Sequence, residues 1–339
     1  MKRGAVRLAV IGAGRIGRLH IENLVERIDG AEVLWVVDVN RATAETTAVR
    51  FGIAGVSADP SEALADPRVD GVLVCSSTDT HADLVQAAAE HGKHVFCEKP
   101  IALELETIDA LCRRVAAAGV VLGVGFNRRF DPAFRQVREA VVSGRIGAVE
   151  MLRITSRDPQ PPPLAYIEAS GGLFLDMTIH DFDMARFLMG KEVCEVFARG
   201  SALVDPAIGR AGDVDTATVS LRFAGGALGV IDNSRRAVYG YDQRVEILGA
   251  RGMVRADNPP AHSAAVWDEN GAHAAALKHF FIARYARAYV AEMEAFCRAV
   301  ANQEPFPVDG KDGRRAVMLA HAAQRSLVER RPVAIEEMT

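Results

Sequence analysis

The chain predicts an α/β protein: an N-terminal Rossmann domain with a doubly wound parallel sheet, then an α+β domain with a mostly antiparallel open sheet. Three observations predict it. A strand, a glycine loop and a helical pattern open the chain, with Gly12-Ala13-Gly14-Arg15-Ile16-Gly17 directly after Val6–Ile11. Near-continuous apolar runs then alternate with helical patterns up to Gly125, as strands buried on both faces do. Beyond Gly125-Phe126-Asn127 strands follow strands, with the side-chain period of two that one buried face imposes.

In the first part, strands are expected at Val6–Ile11, Val33–Val37, Val72–Cys75, His94–Cys97 and Val120–Val124. Helices are expected at Ile16–Glu26, Arg41–Arg50, Thr80–Glu90 and Leu105–Ala118. Right-handed crossovers turn that alternation into a doubly wound sheet. In the second part Ala217, Val219, Leu221 and Phe223 share one face of an expected strand, Thr216–Phe223. Gly225-Gly226 reads as a hairpin turn into Ala227–Ile231, and Val245–Leu248 and Met253–Arg255 flank a second turn at Ala250-Arg251-Gly252. Glu150–Thr155 and Val193–Ala198 complete the sheet. Its open face needs cover, and a second subunit is a source of it. Phe281, Tyr285, Tyr289, Met293, Phe296 and Val300 form a core-facing helical stripe, and a last helix, Arg314–Val328, is expected to fold back on the first domain. The expected domains are residues 1–125 for a dinucleotide and 126–339 for substrate binding and oligomerisation.

Two domains suit 339 residues. A net charge of −4 gives no electrostatic reason to bind nucleic acid or an anionic membrane. Cys75, Cys97, Cys112, Cys194 and Cys297 are scattered, with no Cys-x-x-Cys, which argues against a disulfide framework and a structural metal and for a reducing compartment. Lys2 and Arg3 run straight into a strand rather than a signal segment, no apolar stretch reaches spanning length, and a cytoplasmic location is expected.

In the glycine loop, Gly12 allows the tight turn, Gly14 lets a pyrophosphate approach the backbone, and Gly17 packs helix on strand, while Arg15 and Ile16 open the helix whose N–H groups face the phosphates. Asp38, at the end of Val33–Val37, can accept from ribose hydroxyls and repel a 2′-phosphate, so NAD is the expected cofactor. The competing reading of Asp38 is a helix cap, which Asn40 can also supply. Arg15 leaves dual specificity open. Ser76, Ser77 and Thr78 follow another strand at the sheet edge where ligands lie, and either line the cofactor path or cap the next helix. His81 reads first as a first-turn helix residue and second as a cofactor contact. Glu98-Lys99-Pro100 ends the strand His94–Cys97 on the same edge, and proline holds the lysine backbone extended. Taken alone it is a surface turn; after a cofactor motif it becomes a site.

The second chemical element is Asp176, four residues before His180 and so expected on one helix face, behind Gly171-Gly172. Asp181 and Asp183 add carboxylates that need water, cations or a polar ligand, which suggests a polar cavity. Removing a hydride from a carbinol needs a base for the hydroxyl proton and a cation beside the oxygen. An imidazole and an ammonium supply both.

These residues resemble the glucose–fructose oxidoreductase, inositol dehydrogenase and rhizopine-catabolism (Gfo/Idh/MocA) family over essentially the full length. The resemblance rests on Glu98-Lys99-Pro100, on Gly125 to Asp131, on Ser156-Arg157-Asp158-Pro159, on Gly171 to Arg186 and on Asn233 to Arg244. The last two runs resemble the inositol branch. The resemblance implies a triad of Lys99, Asp176 and His180, with His180 as general base, and NAD-dependent oxidation of myo-inositol to 2-keto-myo-inositol. It implies substrate contacts from Arg129, Asp158 and Tyr239, with Asn127 and Tyr241 as further members, Glu98 among the cofactor residues, and a homotetramer on the open sheet face. Read without it, Arg128 and Arg129 could pair with Asp131, and either tyrosine could be core. Competing activities are oxidation of scyllo- or chiro-inositol or of a pyranose, redox-assisted glycoside cleavage, and sugar sensing.

Overall fold

The computed structural model of the chain describes residues 4–338. The chain folds into two compact units, residues 1–127 with 287–317, and 128–286 with 318–339.

The first unit is built from β1 (Val6–Ile11), α1 (Arg15–Glu26), β2 (Ala31–Val37), α2 (Arg41–Phe51), β3 (Gly55–Ser57), α3 (Pro60–Ala65), β4 (Gly71–Val74), α4 (Thr78–Glu90), β5 (His94–Glu98), α5 (Leu105–Ala118) and β6 (Leu122–Gly125). All six strands are parallel, in the order β3-β2-β1-β4-β5-β6. The order reverses between β1 and β4, the place where open α/β sheets bind ligands. The two short elements β3 and α3 are absent from the sequence reading, because three residues of strand carry too little periodicity to register.

The second unit contains α6 (Pro132–Val142), β7 (Val149–Arg157), α7 (Leu164–Ala169), α8 (Ile179–Met189), β8 (Val193–Ser201), α9 (Pro206–Arg210), β9 (Thr216–Phe223), β10 (Leu228–Ser234), β11 (Asp242–Gly249), β12 (Gly252–Ala256), a small hairpin of β13 (Ala265–Asp268) and β14 (Gly271–Ala274), and α10 (Phe281–Arg284). After these come α11 (Ala286–Asn302), α12 (Gly310–Glu329), β15 (Val333–Ala334) and a short 3-10 turn, Ile335–Met338. Seven strands form one sheet in the order β12-β11-β7-β10-β9-β8-β15, antiparallel except for the parallel pair β7 and β10. One face buries Leu152, Ile154, Val219, Leu221, Ile231 and Ile247, with α8 packed on β7. The other exposes an apolar row, Leu228, Met151, Leu248 and Met253, that lies in register across β10, β7, β11 and β12.

The expected boundary after residue 125 leaves residues 287–317 in the second domain, whereas their packing puts them in the first unit. The cause is the helical stripe. Phe296 of α11 and Phe306 meet Phe96 of β5 edge-on, with ring centroids 5.6 and 6.2 Å away. Val308 accepts from the Val124 N–H at 3.0 Å, so the segment closes the free edge of β6. The stripe itself is interrupted: Phe281–Arg284 is a separate turn, and the long helix starts at Ala286. The division between units falls inside α12, after Val317.

Candidate active site

The first unit carries one half of the candidate residues at the ends of β1, β2, β4 and β5. Gly12 has φ +98, and a Cβ there would lie 2.6 Å from the Cys75 and Ser76 backbone, so only glycine fits. A Cβ on Gly17 would meet the Gly12 carbonyl oxygen at 1.8 Å, which packs α1 directly against the turn. Gly14 has no atom within 4 Å of its Cβ position and no side chain capping the helix it begins. The N-terminus of α1 is thus open on the Gly14 side and uncapped by a side chain, as an anion-binding helix end requires.

Asp38 is not the cap of α2; Asn40 is, accepting from the Thr43 N–H. Asp38 instead accepts from the Ala13 N–H at 2.8 Å and the Asn40 N–H at 2.9 Å. It ties the glycine loop to the end of β2, and a carboxylate has lone pairs beyond these two bonds. Ser76 exchanges a hydrogen bond with Thr80 at 2.6 Å, and Ser77 and Thr78 begin α4. His81 is buried, with Nδ1 2.8 Å from the Pro100 carbonyl and Nε2 3.2 Å from that of Ser76. Its ring thus braces the Lys99-Pro100 corner rather than presenting a face for a ligand. The Lys99–Pro100 peptide is cis. Glu98 Oε1 lies 2.8 Å from His20 Nε2, and a Cβ on Gly125 would lie 2.8 Å from its other oxygen. Asn127, last residue of this part of the unit, is buried with its Nδ2 lacking a protein partner.

The second unit carries the other half. Asp176 does not share a regular α-helical turn with His180: residues Phe174–Thr178 form a π-helical turn, and α8 begins only at Ile179. The wider turn removes the regular four-residue stacking that the spacing predicts, a departure common where helices carry chemistry. Two residues hold the Asp176 carboxylate. The Tyr166 hydroxyl donates to Oδ1 at 2.9 Å, and Arg235 Nη1 donates to Oδ2 at 3.1 Å. Loss of solvent and then the Asp176 charge push the Tyr166 phenol up, so it remains the donor. Arg235 is fully buried, and its Nε and Nη2 have no protein partner. Asp158, after β7, feels the same charges. Burial first, then Asp176, push its carboxyl up to about 6, against the pull of Arg235 and Arg128.

Asp181 and Asp183 do not mark a cavity. Both are fully buried and answered by arginines: Arg128 Nη1 lies 2.6 Å from Asp181, and Arg129 Nε lies 2.8 Å from Asp183. Asn233 donates to the second Asp181 oxygen at 2.8 Å and accepts from Thr178 at 2.8 Å, which locks the junction of the π turn and α8 onto β10. The pairing of Arg128 and Arg129 with Asp131 does not occur; Asp131 caps α6 and pairs with Arg284 at 2.7 Å. Arg129 also stacks on Phe187, so this expected substrate contact is engaged mainly as a strut. Tyr239 is half exposed, donates to Asp242 at 2.7 Å and accepts from Arg157 at 3.0 Å. Tyr241 is core, edge-on to Tyr285. Sequence reasoning missed Tyr166 and Arg235. Arg235 lies within the Asn233–Arg244 run and ends a strand beside Asn233, a position that invites attention; Tyr166 offers no local signal, since its partner is ten residues away.

Comparison with known proteins agrees with these halves. Residues 6–126 match the oxidoreductase family described as having an NAD-binding Rossmann fold, and residues 134–255 match the GFO/IDH/MocA C-terminal domain. A myo-inositol 2-dehydrogenase of Thermotoga maritima is 53% identical, over 98% of this chain and 99% of that one. An inositol 2-dehydrogenase of Rhizobium meliloti is 47% identical, over 97% and 99%. A crystal structure of a probable dehydrogenase from Thermotoga maritima superposes with a TM-score of 0.97 at 52% identity, covering 98% of this chain and all of the other.

Proposed function

The chain belongs to the Gfo/Idh/MocA family of oxidoreductases, and we propose that it oxidises myo-inositol at its 2-hydroxyl to 2-keto-myo-inositol with NAD. Bound NAD supplies the hydride acceptor. We assign its phosphates to the α1 N-terminus at Gly14 and its adenosine ribose to Asp38.

Within this reading His180 takes the hydroxyl proton, Lys99 holds the reacting oxygen, and Asp176 orients the pair. The observation that carries it is the held Asp176 carboxylate. A buried cation and a phenol fix it four residues before an imidazole, on a turn that β10 locks in place. A cyclitol presents a hydroxyl on every carbon, and Asp158, Tyr239 and Asn127 offer acceptors and donors for the others. Arg129 supports that set through Asp183. The test is NADH formation on myo-, scyllo- and chiro-inositol, glucose and an aryl glycoside. Lys99→Ala and His180→Ala should each cut turnover on myo-inositol by about 10³-fold while NAD still binds. Near-normal turnover in either refutes the assigned roles; preference for a pyranose, or release of free sugar without NADH, refutes the substrate.

The in-register row Leu228, Met151, Leu248 and Met253 supports a homotetramer assembled on the open sheet face. Five free cysteines support a cytoplasmic location. Among the described residues no helix is long and apolar enough to cross a membrane.

A further inference from the structure

Helix α8 carries the imidazole assigned to the reaction, yet its own sequence gives it no preferred outward side. Across residues 177–185 every residue is buried except His180, which is half-buried. Ile179, Phe182, Met184 and Ala185 set buried apolar side chains all round the axis. A helix that is apolar all round has no stripe to fix its rotation. The π turn ahead of it interrupts the α-helical phase, so α8 does not inherit a rotation from Asp176. Turning α8 by one residue, about 100°, would bury the imidazole and bring a neighbour to its opening.

Two ion pairs supply what the apolar pattern lacks. Arg128 and Arg129 are consecutive on a 3-10 turn, Asn127–Phe130, and each takes an acid from the first turns of α8. Arg128 Nη1 donates to Asp181 Oδ1 at 2.6 Å. Arg129 grips Asp183 as a fork, with Nε and Nη2 on separate oxygens. Viewed down the axis, Asp181 stands about 100° to one side of His180 and Asp183 about 60° to the other. The imidazole therefore lies in the arc between two held directions. Strand β10 adds a third hold. Asn233 accepts from Thr178 and donates to Asp181 Oδ2, both at 2.8 Å, and so takes the chain on either side of Ile179.

Apolar residues of similar volume in place of both members of a buried pair commonly fold at least as well. Stability alone does not call for these charges. We propose that Arg128 and Asp181 are positioning residues for His180: together with the pair Arg129–Asp183 they lock the rotation of α8 that keeps the imidazole at its opening. This deepens the assignment of His180 as general base, and rests on that assignment for its kinetic arm alone.

The test is a paired apolar exchange, Arg128→Met with Asp181→Leu, in which Asn233 keeps the Ser156 carbonyl at 3.3 Å. The variant should fold and melt close to wild type. NMR of protein isotope-labelled at its histidine Cε1 carbons reads the lock without substrate. The His180 signal is the one missing from His180→Ala. Wild type should give one such signal. The exchange should shift, split or broaden it, while the signals of His20 and His81, in the first unit, stay in place. An unmoved His180 signal overturns the proposal, whatever the melting temperature. In steady-state kinetics kcat on myo-inositol should fall by about tenfold or more, with KM and NAD affinity each within about threefold of wild type, since a misdirected base slows the chemistry and not the binding. A moved signal with wild-type kcat keeps the lock and removes His180 from the reaction. A wild type that oxidises no cyclitol refutes the proposed function, and the NMR arm still decides the lock. If the exchange fails to fold, Arg129→Met with Asp183→Leu takes its place, read by NMR alone, and an unmoved signal there overturns the proposal equally.

Discussion

Arg235 Nη1 and Asp176 Oδ2 lie 3.1 Å apart, and the arginine that makes this contact is fully buried at the end of β10. A guanidinium here does more than balance charge. Its Nη1 takes one carboxylate oxygen, while the Tyr166 hydroxyl takes the other, so two separate donors set the direction of the carboxylate. Two residues from separate segments thereby hold an acid that belongs to a third.

Arg235→Lys should therefore fold but turn over at least about tenfold more slowly, since the shorter lysine stem does not place a donor where the guanidinium Nη1 stands. Arg235→Leu should lower stability by about 3–5 kcal/mol, because it leaves Asp176 without its cation. Steady-state kinetics and thermal unfolding of both variants check this; wild-type turnover in Arg235→Lys would deny the arginine any orienting role.

Asp158 gives the pH dependence. Its pKa of about 6 in the folded protein stands above the ordinary 3.8. Between these values the folded protein keeps a proton that the unfolded chain has lost. The group's contribution to stability is therefore greatest below about pH 4 and is lost as pH rises through about 6. Asp158→Asn should flatten that window in Tm measured from pH 4 to 7, and should also raise KM for myo-inositol. A Tm profile that keeps the wild-type slope contradicts the assignment.

Asp38→Ser should raise the use of NADP relative to NAD, because the charge that repels a 2′-phosphate is gone. NAD affinity should also fall, since the Ala13 N–H loses its carboxylate tether. Titration with both cofactors decides it, and an unchanged preference leaves Asp38 with the tether alone.

On the open sheet face, Met151→Glu together with Leu248→Glu places two charges in the apolar row. Light scattering should show a shift from the proposed tetramer to smaller species with the fold retained. A mass unchanged from wild type moves the interface elsewhere.

The sequence by itself determined the alternation of strands and helices, the glycine loop and the acid after β2, because each is local: a period, a turn that only glycine fits, a fixed spacing. It also determined the period-two strands of the second sheet, down to the limits of Thr216–Phe223. The tertiary structure decided how charges pair. Asp181 and Asp183 read as the walls of a cavity until Arg128 and Arg129, more than 50 residues away, were found beside them. The π turn at Asp176 is held to β10 by Thr178 and Asn233, a long-range contact that no helical spacing encodes. Residues 287–317 joined the first unit because an aromatic stripe is covered by whichever surface matches it, and Phe96 supplies that surface. Periodicity is written along the chain, whereas the partner of a buried charge or ring is chosen in space.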